Sequence, residues 1–317
     1  VASDLAQQHP LLAFQLRANW RHHQARVYTV APGPVREDQY SVQALRVPRG
    51  GELEAVESLA PALRNEPELV ILFGGGIRGA AVKRLVAFGD SLGIPVKYVC
   101  LVDYSNSRGA FDMGLAPELL PGYQPAPDPG LALPEILAAP DLDVLWVIGA
   151  NPLRNASLAA EKAFVVVQDL FLTETAARAD VVLPAASAYE KAGAVTNTCG
   201  EVQRLRPALK VMGVKSDLEI FGLLARAMRL ELGDARPEAV FEEIRVKVPG
   251  YGVPAAVLAT GGAARTSPAA APELPLRPEL VRPASDTLFT SGTLGRYSNV
   301  LSSVLEYPGA LYQGAGE

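Results

Sequence analysis

Two sets of residues in this 317-residue chain have the types and spacing that chemistry requires. The first lies between Asp143 and Asn197, where Val144 to Ile148 and Phe164 to Val167 form short apolar runs rich in β-branched residues. Each run ends in a turn-forming cluster, so the pair reads as buried parallel strands, with Trp146 inside a central one. Gly149, Asn151 and Pro152 follow the first run, and Gln168, Asp169 and Thr173 follow the second. In an open α/β sheet the crevice beyond the carboxyl ends of the strands holds the ligand, which makes Asn151, Gln168, Asp169 and Thr173 the candidate binding residues. Asp169 suits hydrogen bonds from a base or ribose, and Asn151 suits a phosphate at its turn. Each also has a plainer reading, Asp169 as the cap of a helix starting near Thr173 and Asn151 as a residue that tolerates turn geometry.

The second set is Gly74, Gly76 and Gly79, which satisfy G-x-G-x-x-G after an apolar run and before a helical pattern, with Asp103 ending the next run. Such glycines let backbone amides approach a pyrophosphate at a helix N-terminus, and NAD is the ligand they imply. The alternative is a tight strand-to-helix turn in any parallel sheet. Other reactive residues form no set. His9, His22 and His23 lack acidic or cysteine partners at ligand spacing, and Cys100 and Cys199 are too few for a four-cysteine cluster or a thiolate zinc site, so no metal site is expected. Cys100 closes the run VKYVC and reads as a small buried core residue, whereas Cys199 lies in a polar turn. Ser157 and Ser187 have no G-x-S-x-G context.

These residues must be held by a sizeable fold. A chain that is 49% hydrophobic and 20% charged, with net charge -5, has an ordinary globular composition and no basic excess to suggest nucleic-acid binding. No apolar run reaches the roughly 20 residues of a membrane helix, so no direct membrane insertion is expected. Leu12, Leu16 and Trp20 share a helical face, and Val27 to Val30 reads as a strand. No strand precedes them, so Val1 reads as a cut inside a longer polypeptide. Leu53, Val56, Ala60 and Leu63 define another helix, and Val82, Leu85, Val86 and Leu92 form the sheet-facing stripe of the one after the glycines. Residues 103–130 read as a long loop. Ser216 and Glu219 have capping-box spacing ahead of a helix with Ile220, Leu223, Leu224 and Met228 on its apolar face. Pro237 opens a short helix with Val240, Phe241 and Ile244 inward, and residues 246–285, dense in proline, alanine and glycine, read as a surface linker.

Ordered blocks add a resemblance. NSRGAFDMG (Asn106 to Gly114), LPGYQ (Leu120 to Gln124), GANP, QDLFLTETAARADVVLPA and EKAGAVTN with EVQRLRPA resemble the nucleotide-side lobe of the molybdopterin oxidoreductase superfamily. Gly292, Thr293, Arg296 and Ser298 resemble the opening of that superfamily's C-terminal β-barrel. The superfamily includes molybdenum enzymes of formate dehydrogenase type and the large, G-type iron-sulfur subunit of respiratory NADH:quinone oxidoreductase (complex I), whose lobe generally lacks the cofactor.

The resemblance implies an α/β fold, a mostly parallel sheet flanked by helices in a Rossmann-like lobe with an irregular C-terminal tail. It divides the chain into a remnant of a sister lobe (1–62), the main lobe (63–248), and a linker with a truncated C-terminal segment (249–317). The implied function is that of a cofactor-free structural lobe in the peripheral arm of complex I, on the cytoplasmic face of the bacterial inner membrane. Iron-sulfur clusters are then expected upstream in the parent subunit, FMN in a partner subunit, and other peripheral-arm subunits as neighbours. Asn151, Gln168, Asp169 and Thr173 become vestiges of a pterin dinucleotide site. The alternatives are the nucleotide-side lobe of a formate-dehydrogenase-type molybdenum enzyme, and an NAD-binding domain using Gly74 to Gly79.

Overall fold

Short β-branched runs alternating with helical patterns build the small parallel sheets of this chain, seen in a computed structural model that describes residues 1–77, 79–102, 104–154, 156–211, 213–254, 258 and 264–265. The class is α/β, as the sequence implies. Asp103 and the barrel-like residues Gly292, Thr293, Arg296 and Ser298 lie outside the described residues. Contacts gather the described residues into two compact units, one holding Val1–Tyr104 and the other beginning at Ser105. Among the described residues no helix is long and apolar enough to cross a membrane.

The first unit runs α1 (Leu5–Gln8), α2 (Pro10–His23), β1 (Tyr28–Ala31), β2 (Gln43–Arg46), α3 (Glu52–Ser58), α4 (Ala60–Leu63), β3 (Leu69–Phe73), α5 (Ala80–Asp90) and β4 (Val96–Cys100). β1 pairs β2 and β3 pairs β4, both in parallel. β2 went unseen in sequence because QALR is four residues, mostly exposed, with no apolar alternation. Ile71 and Phe73 of β3 pack with Val30, Leu53, Val56, Leu63 and Leu85 into one core. Leu85 is fully buried, but Val86 is exposed and Phe88 takes its expected place. Cys100 is exposed, contrary to expectation, although alternation along β4 puts it on the face of Val96 and Tyr98, in register with Phe73: packing on that face does not extend to the end of the strand. α2 buries none of its residues, and Trp20 instead stacks near Tyr40, with ring centroids 5.0 Å apart.

At the amino end, Val1 donates to the Leu72 carbonyl at 2.8 Å, the Gly74 amide donates to the Val1 carbonyl at 2.9 Å, and the Ala2 amide donates to the Val30 carbonyl at 2.9 Å. Burial lowers the Val1 amine from 8.0 to about 6, against the opposing pull of Glu37 and Glu52. Between those values the unfolded chain binds more protons than the folded one. The stability contributed by the neutral amine is therefore complete above pH 8 and lost as pH falls through 6. Denaturant titrations of this chain should show stability rising by about 2 kcal/mol between these two pH values, and a flat profile would place the amine in water.

The second unit holds α6 (Ser107–Asp112), β5 (Leu119–Leu120), β6 (Gln124–Pro125), α7 (Leu133–Ala138), β7 (Val144–Ile148), β8 (Phe164–Asp169), β9 (Val181–Pro184), β10 (Gly193–Thr196), β11 (Glu201–Leu205), α8 (Asp217–Ala227), α9 (Pro237–Lys247) and β12 (Ala264–Arg265). β7, β8 and β9 form a parallel sheet in that order, and β10, β11 and β12 an antiparallel one. The expected loop over 103–130 thus contains a helix and a two-stranded hairpin. The expected linker also departs from its reading at its start, because Val248, Tyr251, Val253 and Leu258 pack with Val202 as a core of their own. Apolar residues spaced without helical or strand period carry no periodic signal, yet they still bury.

Trp146 departs from expectation in a way that matters for stability. Leu145, Val147, Val165 and Val167 fill one face of the sheet, while Val144, Trp146, Ile148 and Phe164 turn to the other and stay exposed. Among the described residues β7 pairs with β8 on one side only, and Trp146, 40% exposed, meets Phe221 of α8 edge-on at 5.5 Å. Truncating a buried tryptophan costs roughly 3–5 kcal/mol. Trp146→Ala is therefore expected to cost only about 1–2 kcal/mol, from partial burial and one aromatic pair. A shift in denaturation midpoint equivalent to more than about 3 kcal/mol would mean the indole is enclosed. On α8, Ile220 and Ala225 are buried, but Leu223 and Met228, assigned to the apolar face, are exposed.

Candidate functional site

The carboxyl ends of β7 and β8 bring two of the four candidates, Asn151 and Thr173, onto adjoining loops, while Gln168 and Asp169 are the last residues of β8. Gly149, at φ +60, turns the chain out of β7 while its amide donates to the Gln168 carbonyl at 2.9 Å. That left-handed backbone suits glycine. Two residues on, Asn151 reaches across to the loop after β8. Its Oδ1 accepts from the Thr175 amide at 3.1 Å and from Thr175 Oγ1 at 2.8 Å, and its Nδ2 donates to Glu174 at 2.6 Å. Thr175 Oγ1 in turn accepts from the Leu153 amide at 3.0 Å, and Thr175 is fully buried. The Asn151 hydrogen bond, then the backbone amide of Glu174 itself, holds the Glu174 carboxyl below its usual range.

The other candidates turn inward as well. Thr173 Oγ1 accepts from the amide of Ala176, the first residue of the 3-10 turn Ala176–Arg178, at 3.1 Å, and the residue is 2% exposed. Asp169 Oδ1 accepts from the Leu170 amide at 2.6 Å. Gln168 is fully buried, and its Nε2 donates to Asp217 at 2.7 Å, whose other oxygen accepts from Lys191. Gln168 Oε1 is buried with no partner among the described residues. Lys191 and Asp217 escaped the sequence reading because they come from separate segments, although Asp217 opens α8, whose Ser216–Glu219 capping box was legible.

A pterin dinucleotide needs donors and acceptors aimed into an open crevice. The polar atoms of Asn151 and Thr173 are taken by neighbouring backbone and side chains, and the unpartnered oxygen of Gln168 is enclosed by protein. As arranged, these side chains do not fit that group. Among the described residues, no cluster of three or more His, Cys, Asp or Glu is placed to hold a metal ion.

The other sequence blocks meet around a buried carboxylate. Asp112, from NSRGAFDMG, is 4% exposed and accepts from Tyr123 Oη of LPGYQ at 2.8 Å and from Tyr251 Oη at 2.8 Å. Tyr251 shares a 2.6 Å hydrogen bond with Thr196 Oγ1, and the Thr196 amide donates to Asn106 Oδ1 at 2.8 Å. Burial, then the bond to Asp112, pushes the Tyr123 phenol up to about 12, and burial raises Tyr251 too. Sequence reasoning missed this network because Tyr251 lies in a stretch that reads as linker.

At the glycine turn, the chain's own N-terminus supplies the close approach. A Cβ at Gly74 would collide with the Ala2 carbonyl oxygen, and one at Gly76 would sit 2.8 Å from the Ala2 methyl. Gly79, at φ +53, caps α5. With Ala2 against the turn, NADH at millimolar concentration is expected to leave the melting temperature unchanged, whereas a ligand at 100 times its dissociation constant adds about 2.7 kcal/mol. A concentration-dependent rise would restore the dinucleotide reading.

Comparison with known proteins supports the resemblance. Residues 119–227 match the family model described as Molybdopterin oxidoreductase. The chain is 32% identical over 250 residues to the second G-type subunit of NADH-quinone oxidoreductase in Rhizobium meliloti, covering 66% of this chain and 29% of that protein. The G-type subunit of the Streptomyces coelicolor NADH-quinone oxidoreductase is 29% identical over 280 residues, 74% of this chain and 33% of that protein. A putative formate dehydrogenase of Bacillus subtilis is 30% identical over 229 residues, 60% of this chain and 23% of that protein. The chain thus spans about a third or less of the length of these relatives. Through residues 119–227, it carries a domain of the molybdopterin oxidoreductase family.

Proposed function

We propose that this chain is part of the large, G-type subunit of an NADH:quinone oxidoreductase, in which the lobe is scaffold and contact surface and holds no cofactor of its own. The observation that carries the reading is the bonding of Asn151 to Thr175 and Glu174, which closes the two loops on each other where a dinucleotide would lie. Similarity to G-type subunits over 66% and 74% of the chain supports the same assignment. In this reading electrons pass from NADH through FMN in a partner subunit and iron-sulfur clusters upstream in the parent subunit to quinone. Peripheral-arm subunits at the cytoplasmic face of the inner membrane are its neighbours, and Asn151, Gln168, Asp169 and Thr173 serve as turn, cap and core residues.

The second reading, the nucleotide-side lobe of a formate-dehydrogenase-type molybdenum enzyme, rests on the similarity to such proteins. Elemental analysis of the intact parent protein separates the two. Iron without molybdenum is expected, and stoichiometric molybdenum, or pterin density between Gly149 and Thr173, would make the second reading the correct one.

A further inference from the structure

We propose that the outer face of α2, with the arginines beside it, is a docking surface for an acidic segment of a partner protein that also carries an apolar anchor. Charge is segregated in this part of the chain. Residues 10–36 hold four arginines, two histidines and no acidic residue, within a chain whose net charge is -5. α2 buries none of its residues. Leu12 and Leu16 are half-buried, while Leu11, Phe14, Arg17 and Arg21 are exposed and follow one another at intervals of three and four residues, which stacks them along one stripe. Leu11 is 81% exposed and Phe14 68%, so two large apolar side chains stand in water at one end of the stripe and two cations at the other.

The 3-10 turn Arg36–Tyr40 extends this surface, because Tyr40 packs against Trp20 of α2. Burial, then Glu37, raises the Tyr40 phenol, and Arg17 and Arg36 both oppose the rise, so the two guanidinium groups flank the aromatic pair. The other charges nearby are turned inward or already used: Glu37 is buried, Asp38 pairs with Arg46, and Arg26 pairs with Glu66 at 3.1 Å. Among the described residues, Arg17, Arg21 and Arg36 make no ion pair and no side-chain hydrogen bond.

Charge complementarity picks the occupant. Unpaired guanidinium groups attract carboxylates and can hold them bidentately, a geometry lysine lacks, and residues 10–36 contain no lysine. Arginine together with aromatic side chains is the composition of protein interface centres, where a few such residues carry most of the binding energy. A membrane surface calls for a continuous apolar face on the exposed side of a helix, whereas here that side has only Leu11 and Phe14, and Leu12 and Leu16 turn inward. The surface belongs to the first unit alone and follows under either reading of the parent protein.

The test uses the full chain carrying Trp146→Phe, which leaves Trp20 as the sole indole reporter. It is titrated with the capped peptide Glu-Glu-Leu-Glu-Glu-Phe-Glu-Glu-Leu-Glu, with the counterpart in which every glutamate is glutamine, and with phosphatidylserine vesicles. A saturating change in Trp20 emission is expected with the acidic peptide alone. Its dissociation constant should rise about tenfold or more with Arg17→Gln and Arg21→Gln together, with Phe14→Ser, and on raising the ionic strength from about 0.05 to about 0.5 M. These side chains are exposed, so the variants should melt within about two degrees of the parent. No saturating change with the acidic peptide, equal binding of the glutamine peptide, or binding indifferent to these substitutions would overturn the proposal. Vesicle binding that depends on Arg17 and Arg21 would overturn it as well, and would give the face to a membrane.

Discussion

Asp112→Ala is expected to lower the stability of the chain by about 3–5 kcal/mol, the largest single-residue effect we anticipate, because it strips the acceptor from a buried phenol, Tyr251, and a half-buried one, Tyr123, at once. Tyr123 and Tyr251 both donate to this carboxylate at 2.8 Å, and of the two it is Tyr251 that keeps a second partner, Thr196. Urea titration gives the magnitude. Tyr123→Phe should cost less in the Asp112→Ala background than in the parent, with a coupling of about 1 kcal/mol or more. An additive cycle would mean that the phenol has another acceptor. Alkaline pH should undo the same network: with Tyr123 raised from 10.0 to about 12, its contribution is intact below pH 10 and is lost as pH climbs through 12.

Asn151→Ala is expected to cost about 2–4 kcal/mol without any ligand present. The substitution removes the acceptor of both the amide and the hydroxyl of Thr175, which is fully buried. It also releases Glu174, whose carboxyl should return toward its ordinary range once the bond that holds it down is gone. A loss below about 0.5 kcal/mol would show that the two loops do not depend on this amide, and would return Asn151 to the role of a residue kept for a ligand.

Much of this architecture was legible in the chain itself. β3, β4, β7 and β8 were readable because β-branched runs ended in glycine or polar turns, and α8 because Ser216 and Glu219 cap it reciprocally. Exposure was harder to read. An apolar run such as VLWVI does not say whether both faces of its sheet are covered, and here only Leu145 and Val147 are buried. Asn151, Gln168, Asp169 and Thr173 lie at or a few residues beyond the ends of β7 and β8, but their partners Thr175, Glu174 and Asp217 follow from how loops fold back. β2 and the packing of Tyr251 and Val253 depend on distant segments that give them a surface to bury against.

Both cysteines of the chain are exposed, and they fall on different units. Cys100 ends β4, and Cys199 sits in the turn between β10 and β11. The native sequence therefore already carries one addressable thiol per unit. Maleimide dyes on the pair turn the protein into its own ruler for inter-unit distance in solution, with Cys100→Ser and Cys199→Ser as the single-label controls. The same exposure sets a handling condition, since without a reductant two such thiols on every molecule favour covalent chains of cross-linked copies.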